Sequence, residues 1–298
     1  FKRIKAELVP VILTPGEWTS WNTAAKKLLE TDATFGVNPN DINIYMVREN
    51  EISPEEKLSN EFKAQKQFFA RIDILMKFLN NDLTDKSSEL FAEMYSYFTN
   101  YLKSISKVDE HVIASYLVVK KLSAIDKQFS YPVKDTFASL YSRIENPKVI
   151  YNELKDTKNT TLKKDFLDAI KMLPDWNVQY IKLFPTVLDE SLINDLVKGG
   201  FTADVQKLVK TSFESYKDYR ETILFFFKDC QARDWFKSAN VDFEDQLIAL
   251  INLIELTFRE INNHVNSTEN KKINKNATDL LFTDKALFKY LQESDEKT

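Results

Sequence analysis

The sequence has very little glycine and a single cysteine. Four of its 298 residues are glycine, at positions 16, 36, 199 and 200. Sheets, barrels and α/β folds use glycine in tight turns and where two backbones approach closely, so this scarcity argues against them. Cys230 has no second cysteine with which to form an internal disulfide. A lone thiol fits a reducing compartment, and we therefore expect a cytoplasmic protein.

The chain also lacks an excess of basic residues and a long hydrophobic run. Its 41 basic and 45 acidic residues are interspersed and give a formal net charge of −4. Proteins that bind nucleic acid usually carry a basic excess, so the composition of this chain does not indicate direct contact with nucleic acid. Such contact would require a local basic patch. The longest strongly apolar run, residues 223–227, is too short to span a bilayer. Because the chain begins with Phe1 rather than Met, we expect it to be part of a longer protein.

No pattern of residues predicts a catalytic, metal or cofactor site. His111 and His264 each lack a second ligand at a metal-binding spacing. Cys230 lies in an apolar helical context, where we expect a buried and inert thiol. We therefore predict no enzymatic activity, no metal and no cofactor. Three acidic groups could serve in acid–base chemistry, but all lie at helix starts, where the helix dipole favours negative charge: Glu55–Glu56, Asp189–Glu190, and Asp242 with Glu244–Asp245.

What the sequence does contain is helix-forming residues in long stretches without proline or glycine. Thr14 and Glu17 form a capping-box pattern that predicts a helix start, and Ser53 and Glu56 form a second one. The second box opens a helix whose apolar positions continue to Leu79. Further helices are predicted at about 86–105, 109–126, 134–145, 147–155, 159–173, 188–198, 202–217, 218–238, 241–265 and 283–291.

Three segments interrupt this helical pattern. Residues 41–48 alternate between apolar and other side chains and form the one good strand candidate. The prolines at 174–185 break the chain, and the polar residues 263–276 indicate a loop. We predict an all-α fold, an irregular array of antiparallel helix pairs of the α-solenoid, HEAT or tetratricopeptide type. Residues 1–298 would form one domain, with a subdivision near 174–185 or near 37–50 as the alternative.

Aromatic residues are unusually abundant, with 22 Phe, 12 Tyr and 4 Trp. Trp18 and Trp21 are three residues apart on one helical turn, so they could fill a core or anchor an interface; core packing is favoured. Lys271, Lys272 and Lys275 form a short basic segment that could contact nucleic acid. Because acidic or amide side chains flank it, a solvated helix face is the default interpretation.

Two segments resemble a known family. One runs from Glu17 through Trp18, Trp21 and the paired leucines 28–29 to Asp32-Ala33-Thr34-Phe35-Gly36. The other is residues 269–275, Glu-Asn-Lys-Lys-Ile-Asn-Lys, followed by Leu-Leu-Phe at 280–282. Together they resemble the long helical region that precedes the Gre domain in the fused, long-form GreA-type transcript-cleavage factors of spirochaetes and chlamydiae. The residues that carry this resemblance, and that we take as candidate interaction residues, are Trp18, Trp21, Phe35, Lys271, Lys272 and Lys275.

The resemblance implies a role in transcription elongation. A whole protein of that family would bind RNA polymerase, and its Gre portion would help the polymerase to cleave backtracked RNA. No segment of this chain matches the Gre coiled coil or the Gre C-terminal domain, so no cleavage-stimulating residue can be assigned to it. The resemblance therefore implies an accessory N-terminal module that docks on RNA polymerase or regulates access to it.

Two other hypotheses remain open on the sequence. The series of predicted helices also fits an α-solenoid scaffold for protein–protein interaction that has no role in transcription. A helical enzyme with a site assembled from scattered carboxylates is disfavoured, because no nucleophile, base or cofactor pattern appears. The sequence does not determine the oligomeric state or the surface that binds a partner.

Overall fold

The computed structural model describes residues 1–295, and most of them are helical, which confirms the predicted fold class. The chain forms two compact units, Phe1–Ala169 and Ile170–Thr298, and the division falls inside a helix. The elements of the first unit are α1 (Lys2–Leu8), α2 (Pro15–Thr31), β1 (Phe35–Asn38), β2 (Asp41–Val47), α3 (Pro54–Ala64), α4 (Phe68–Asn80), α5 (Glu89–Asn100), α6 (Glu110–Ile125), α7 (Phe137–Tyr141), α8 (Pro147–Glu153) and α9 (Leu162–Lys171).

The second unit is helical throughout its described residues. Its elements are α10 (Trp176–Leu183), α11 (Glu190–Lys198), α12 (Thr202–Glu214), α13 (Arg220–Asp229), α14 (Asp234–Lys237), α15 (Phe243–Asn262), α16 (Ser267–Thr278), a π-helical turn (Asp279–Thr283) and α17 (Ala286–Asp295). No helix among residues 1–295 has the length and hydropathy needed to cross a membrane.

The extended segment predicted at 41–48 is β2, and it pairs with a second strand that the sequence analysis did not assign. β1 and β2 form an antiparallel hairpin in which Phe35 lies opposite Val47 and Val37 opposite Tyr45. The hairpin turn is closed by Asn38, whose Oδ1 accepts from the Asn40 amide at 2.9 Å. β1 escaped prediction because it follows α2 within four residues and contains glycine and asparagine, which are depleted in strands.

The long helix predicted from Ser53 to Leu79 is two helices, and that prediction was wrong. α3 ends at Ala64 and α4 begins at Phe68, with Gln65 in an extended conformation between them. Arg71 Nε donates to the Gln65 carbonyl at 2.6 Å, and the Gln65 side chain accepts from the Gln67 amide at 2.9 Å. The break carries no proline or glycine, so only these side-chain bonds and the packing of α3 on α4 reveal it.

Two segments predicted to be non-helical also contain helices. The proline-flanked region 174–185 includes α10, and the polar segment 263–276 is mostly α16. Prolines at 174 and 185 lie outside α10 and do not interrupt its hydrogen bonds. α16 has few apolar residues, so its periodicity is weak, but Asn270, Ile273 and Ala277 lie on one buried face.

Each unit has its own apolar core. In the first unit α3, α4, α5 and α6 pack together, and their fully buried side chains include Ile72, Leu75, Phe78, Met94, Phe98 and Ile113. In the second unit α12 contacts α10, α11, α13, α14 and α15, while α15 pairs with α16. The fully buried side chains there include Tyr180, Phe184, Ile193, Val205, Phe226, Leu250 and Leu253.

Candidate interaction surfaces

The tryptophan pair lies on the first turns of α2. The Thr14 hydroxyl accepts from the Glu17 amide at 3.3 Å, and the Glu17 carboxylate accepts from the Thr14 amide at 2.9 Å, so the predicted capping box is present. The Trp18 and Trp21 rings stack with centroids 5.2 Å apart. Trp18 is buried and Trp21 is half-buried. Core packing therefore accounts for Trp18, while Trp21 keeps an exposed edge.

The Asp-Ala-Thr-Phe-Gly part of the family pattern is the turn between α2 and β1. The Asp32 carboxylate accepts from the amide and hydroxyl of Thr34 at 2.9 and 2.6 Å, and these bonds hold the pKa of Asp32 below its ordinary value. A Cβ on Gly36 would lie 2.5 Å from Ile52 Cδ1, so a larger residue here would require the Ile52 side chain to move. Phe35, one of the candidate residues, begins β1 and is half-buried. The pattern thus encodes a turn rather than a chemical site.

Lys57 on α3 closes the C-terminal end of α2. Its Nζ donates to the backbone carbonyls of Glu30 at 3.1 Å and Asp32, and lies 3.4 Å from that of Leu29. These carbonyls carry the negative end of the helix dipole, which a cation stabilises. Partial burial lowers the pKa of Lys57, because desolvation disfavours the charged amine.

A cavity of about 320 Å³ lies where the hairpin meets α3 and α4. Three of its charged residues have partners: Lys77 lies 3.4 Å from Glu61, and Lys57 binds the end of α2. The remaining wall is mainly apolar and aromatic, formed by Leu29, Phe35, Val37, Ile42, Tyr45 and Leu58.

The turn between α1 and α2 exposes two adjacent aliphatic side chains. Val11 is 80% exposed and Ile12 is 70% exposed. The amides of Ile12 and Leu13 both donate to the Leu8 carbonyl at 2.8 Å. The turn is therefore held by backbone hydrogen bonds even though its side chains face solvent.

The Asn- and Lys-rich helix α16 has a polar inner face. Arg220 on α13 forms a bidentate pair with Glu260 on α15, at 2.5 and 2.9 Å, and also donates to Asn270 Oδ1 at 2.9 Å. Asn270 in turn donates to Glu260 at 2.8 Å and to the Val265 carbonyl at 2.9 Å. One turn later, Asn274 donates to the Ile254 carbonyl at 2.9 Å. These bonds join α16 to α13 and α15.

The three candidate lysines occupy the outer face of α16. Lys271, Lys272 and Lys275 are all exposed, at spacings that place them on adjacent turns. Lys272 lies 3.7 Å from Glu221, which partly neutralises the group. The six candidate residues thus fall into two groups, with Trp18, Trp21 and Phe35 in the first unit and the lysines in the second.

Three consecutive side chains at the start of α6, Asp109, Glu110 and His111, come within 4.8 Å of one another, close enough in principle for a metal ion. Each has another contact in the structure. Asp109 caps α6 by accepting from the Val112 amide at 2.9 Å. The His111 ring packs against Phe68 with centroids 4.3 Å apart and lies 3.4 Å from Glu110.

Cys230 is fully buried at the end of α13, as the sequence analysis expected. Burial raises the pKa of its thiol to about 12, and the nearby carboxylates of Glu190 and Asp229 add to the rise. Since the thiolate is the reactive form, this cysteine is chemically inert in the folded protein.

Sequence reasoning missed the helix–turn–helix formed by α1 and α2. The missed signals were the short basic segment at 2–5 and the aliphatic run 8–13, which carries no helical periodicity. The class of protein is thus defined by a helix–turn–helix with a β-hairpin on its C-terminal side, followed by a helical region.

Comparison with known families agrees with this description. A family described as the GRAD helix-turn-helix domain matches residues 1–52, and one described as the GreA-associated C-terminal domain matches residues 54–298. The chain therefore belongs to the family of GreA-associated domain proteins, as the resemblance in its sequence predicted.

Two relatives support the assignment. Over 228 residues the chain is 42% identical to a GreA-associated domains protein of Treponema pallidum, covering 76% of this chain and 34% of that protein. Over 288 residues it is 31% identical to transcription elongation factor GreA of Borreliella burgdorferi, covering 95% of this chain and 31% of that protein. The chain thus spans about a third of the length of each relative. No solved structure matches. These matches associate the chain with GreA-type transcription elongation factors.

Proposed function

We propose that this chain is an accessory interaction module of a GreA-type elongation factor and that it docks on RNA polymerase or regulates access to it. The observation that carries the proposal is the similarity of 95% of the chain to a protein named as a transcription elongation factor. A module that spans about a third of such a factor would act by binding. This function would place it in the cytoplasm.

The surface of the chain supports a binding role. Single exposed apolar residues are normal on proteins, whereas groups of them usually mark interaction sites. The first 52 residues expose six large aliphatic side chains: Ile4, Val11, Ile12, Leu28, Ile44 and Val47.

We also propose that the module has no catalytic activity of its own. The one thiol is buried and protonated at neutral pH. Asp109 and Asp189 accept from backbone amides at helix starts, and Glu55 accepts from the amide of Asp85. These carboxylates therefore have structural roles, and this agrees with a module that acts by docking.

The proposal is tested by measuring binding of the purified 298-residue chain to core RNA polymerase from the organism that encodes the chain, by interferometry at moderate salt. We expect saturable binding with a Kd of about 1 μM or tighter, typical of a specific protein complex. An unrelated helical protein of similar size and net charge serves as the control for nonspecific adsorption. Absence of binding at about 100 μM, together with recovery of a non-transcription partner, would instead support a scaffold unrelated to transcription.

A further inference from the structure

We propose that the cavity where the hairpin meets α3 and α4 is a binding site for an uncharged small organic molecule, one with an aromatic or aliphatic body and a hydrogen-bond acceptor. This space is called the hairpin cavity below, and its wall is formed mainly by Leu29, Phe35, Val37, Ile42, Tyr45 and Leu58. The inference goes beyond docking on a protein partner and does not depend on it.

The first observation is the size of the hairpin cavity and the nature of its wall. Its volume of about 320 Å³ lies within the range of roughly 300–1,000 Å³ that is usual for small-molecule sites. All six wall residues named above are half-buried, so the fold leaves part of each side chain in contact with water. A ligand with an apolar body would remove this surface from water, which is favourable.

The wall is held in place by contacts that do not involve a ligand. Val37 and Tyr45 lie opposite each other in the pairing of β1 with β2. On the other side, Lys57 ties α3 to the end of α2 through the Glu30 carbonyl at 3.1 Å. The Phe1 ring contacts the Tyr45 ring edge-on, with centroids 6.1 Å apart. A preformed site of this kind loses little conformational entropy on binding.

The charges that line the hairpin cavity indicate an uncharged ligand. They are two carboxylates, on Glu30 and Glu61, and two amines, on Lys57 and Lys77, so the formal charge of the lining is zero. Lys77 lies 3.4 Å from Glu61, and the charge of Glu30 attracts Lys57. A charged ligand would lose its hydration without gaining a free partner of opposite charge, and this is costly.

Two neutral polar groups indicate an acceptor on the ligand. The Tyr45 hydroxyl makes no hydrogen bond within residues 1–295, and its half-burial and the nearby charges of Glu30 and Glu61 raise its pKa. It is therefore protonated at neutral pH and can donate. The Asn81 Oδ1 already accepts from the Leu83 amide at 3.0 Å, which leaves the side-chain N–H groups of Asn81 to donate. A carbonyl oxygen on the ligand could accept from either residue.

The position of the hairpin cavity gives ligand binding a structural effect. Its wall is drawn from α2 and the hairpin on one side and from α3 and α4 on the other, all within the unit Phe1–Ala169. A bound molecule would contact both sides and stabilise the packing of the hairpin on α3. A protein surface would find no net charge to complement here, so a concave space of this size suits a small molecule better.

The test uses probes with the same phenyl body and different charge, offered to the full 298-residue chain and observed by NMR saturation transfer. Benzylacetone is uncharged and has a carbonyl acceptor, hydrocinnamate carries a carboxylate in its place, and phenylpropylammonium carries an amine. We expect benzylacetone to bind with a Kd of about 1 mM or tighter and the two charged probes to bind at least about tenfold more weakly. Coumarin, a second uncharged probe with a carbonyl, should compete with benzylacetone.

Matched variants locate the binding. Ile42→Trp fills the hairpin cavity and should abolish benzylacetone binding, whereas Ile44→Trp, on the same strand but 48% exposed and outside the wall, should not. Tyr45→Phe should weaken binding about fivefold, as expected for loss of one hydrogen bond. Tyr219→Phe, at a half-buried tyrosine of the second unit, should leave binding unchanged. Bound benzylacetone should also slow amide hydrogen exchange within residues 35–47 of the wild type but not of the Ile42→Trp variant.

Failure of both uncharged probes to bind at about 5 mM would overturn the inference and leave the hairpin cavity as a hydrated gap. Equal binding of charged and uncharged probes, or binding that Ile42→Trp leaves unchanged, would overturn it as well. If Ile42→Trp abolished binding to RNA polymerase while no probe bound, the cavity would receive a side chain of a protein partner, and the inference would fail. Thermal melting of each variant like the wild type confirms that lost binding is not a lost fold.

Discussion

Asn270 lies between three elements of the second unit, where its amide group accepts from Arg220 and donates to Glu260 and the Val265 carbonyl. Only 1% of the residue is exposed. Removing its side chain would take one hydrogen-bond partner from the part-buried Arg220 and Glu260 side chains and from the Val265 carbonyl, and it would leave a gap at a buried position.

We therefore predict that Asn270→Ala lowers the free energy of unfolding by about 2–3 kcal/mol, measured by urea denaturation. The control is Asn276→Ala on the same helix, because Asn276 is exposed. That change should stay within about 0.5 kcal/mol. Equal effects of the two substitutions would show that the inner face of α16 is not held by the Asn270 network.

The same network predicts a pH dependence. The hydrogen bonds and charge of Arg220 hold the pKa of Glu260 below its ordinary value of 4.5. A carboxylate with a lowered pKa contributes stability above its ordinary pKa, and this contribution is lost as the pH falls through the folded-state pKa. The difference in unfolding free energy between the wild type and Glu260→Gln should therefore shrink as the pH falls below about 4.5.

The measurement is a series of thermal or urea transitions from neutral to acidic pH. Glu255→Gln provides the comparison, since Glu255 forms an exposed pair with Arg259 on α15, 3.1 Å away. Such an exposed pair contributes little, so this variant should follow the wild type at every pH. A difference for Glu260→Gln that stays constant down to the lowest pH would contradict the prediction.

At the scale of elements, α11 ends in a left-handed residue. Gly200 has φ of +87°, and its amide donates to the Val197 carbonyl while that of Phe201 donates to Leu196. This is the Schellman pattern that closes helix ends. Nothing lies within 4 Å of a Cβ placed on either Gly200 or Gly16, so neither site is sterically blocked by other residues.

These two glycines form a matched pair. Gly200→Ala should destabilise the chain by about 1 kcal/mol, because alanine disfavours a left-handed backbone. Gly16→Ala, in the first turn of α2, should be neutral or stabilising by up to about 1 kcal/mol, because alanine favours a helix. Urea denaturation measures both; a stabilising effect at Gly200 would show that α11 does not end in this way in solution.

Helix boundaries show which element-level features were predictable. The capping box at Thr14 and the stop at Gly200 were identified correctly, because each depends on residues within five positions of one another. The break at Gln65 and the helix at 267–278 were missed. Both depend on contacts that local patterns do not contain, such as the hydrogen bond from Arg220 to Asn270, 50 residues apart.

At the scale of the molecule, each unit has its own core, with Phe98 fully buried in the first and Cys230 fully buried in the second. We predict that Phe98→Ala destabilises the first unit by about 3–5 kcal/mol and raises hydrogen exchange mainly within residues 54–169. Cys230 should meanwhile stay protected from a thiol reagent at mild pH, because its thiol is buried with a pKa of about 12.

The matched variant is Phe226→Ala, which removes a fully buried ring from the second unit. It should expose Cys230 to the reagent at a lower urea concentration than the wild type and raise exchange within residues 170–295. If both variants accelerated exchange equally in both units, the chain would unfold as one cooperative domain, which was the first prediction from its sequence.

The sequence by itself determined the helical class, the capped starts of α2 and α3, and the family. Scarce glycine, local capping and short sequence patterns act through neighbours along the chain, so they can be read without the fold. Only the tertiary structure decided that 35–38 pairs with 41–47, that α3 and α4 are separate helices, and that Asn270 and Asn274 face inward while the lysines face out. It also showed that Val11 and Ile12 are exposed on a hydrogen-bonded turn. These features depend on burial and on hydrogen bonds between distant residues, which arise only when the chain has packed.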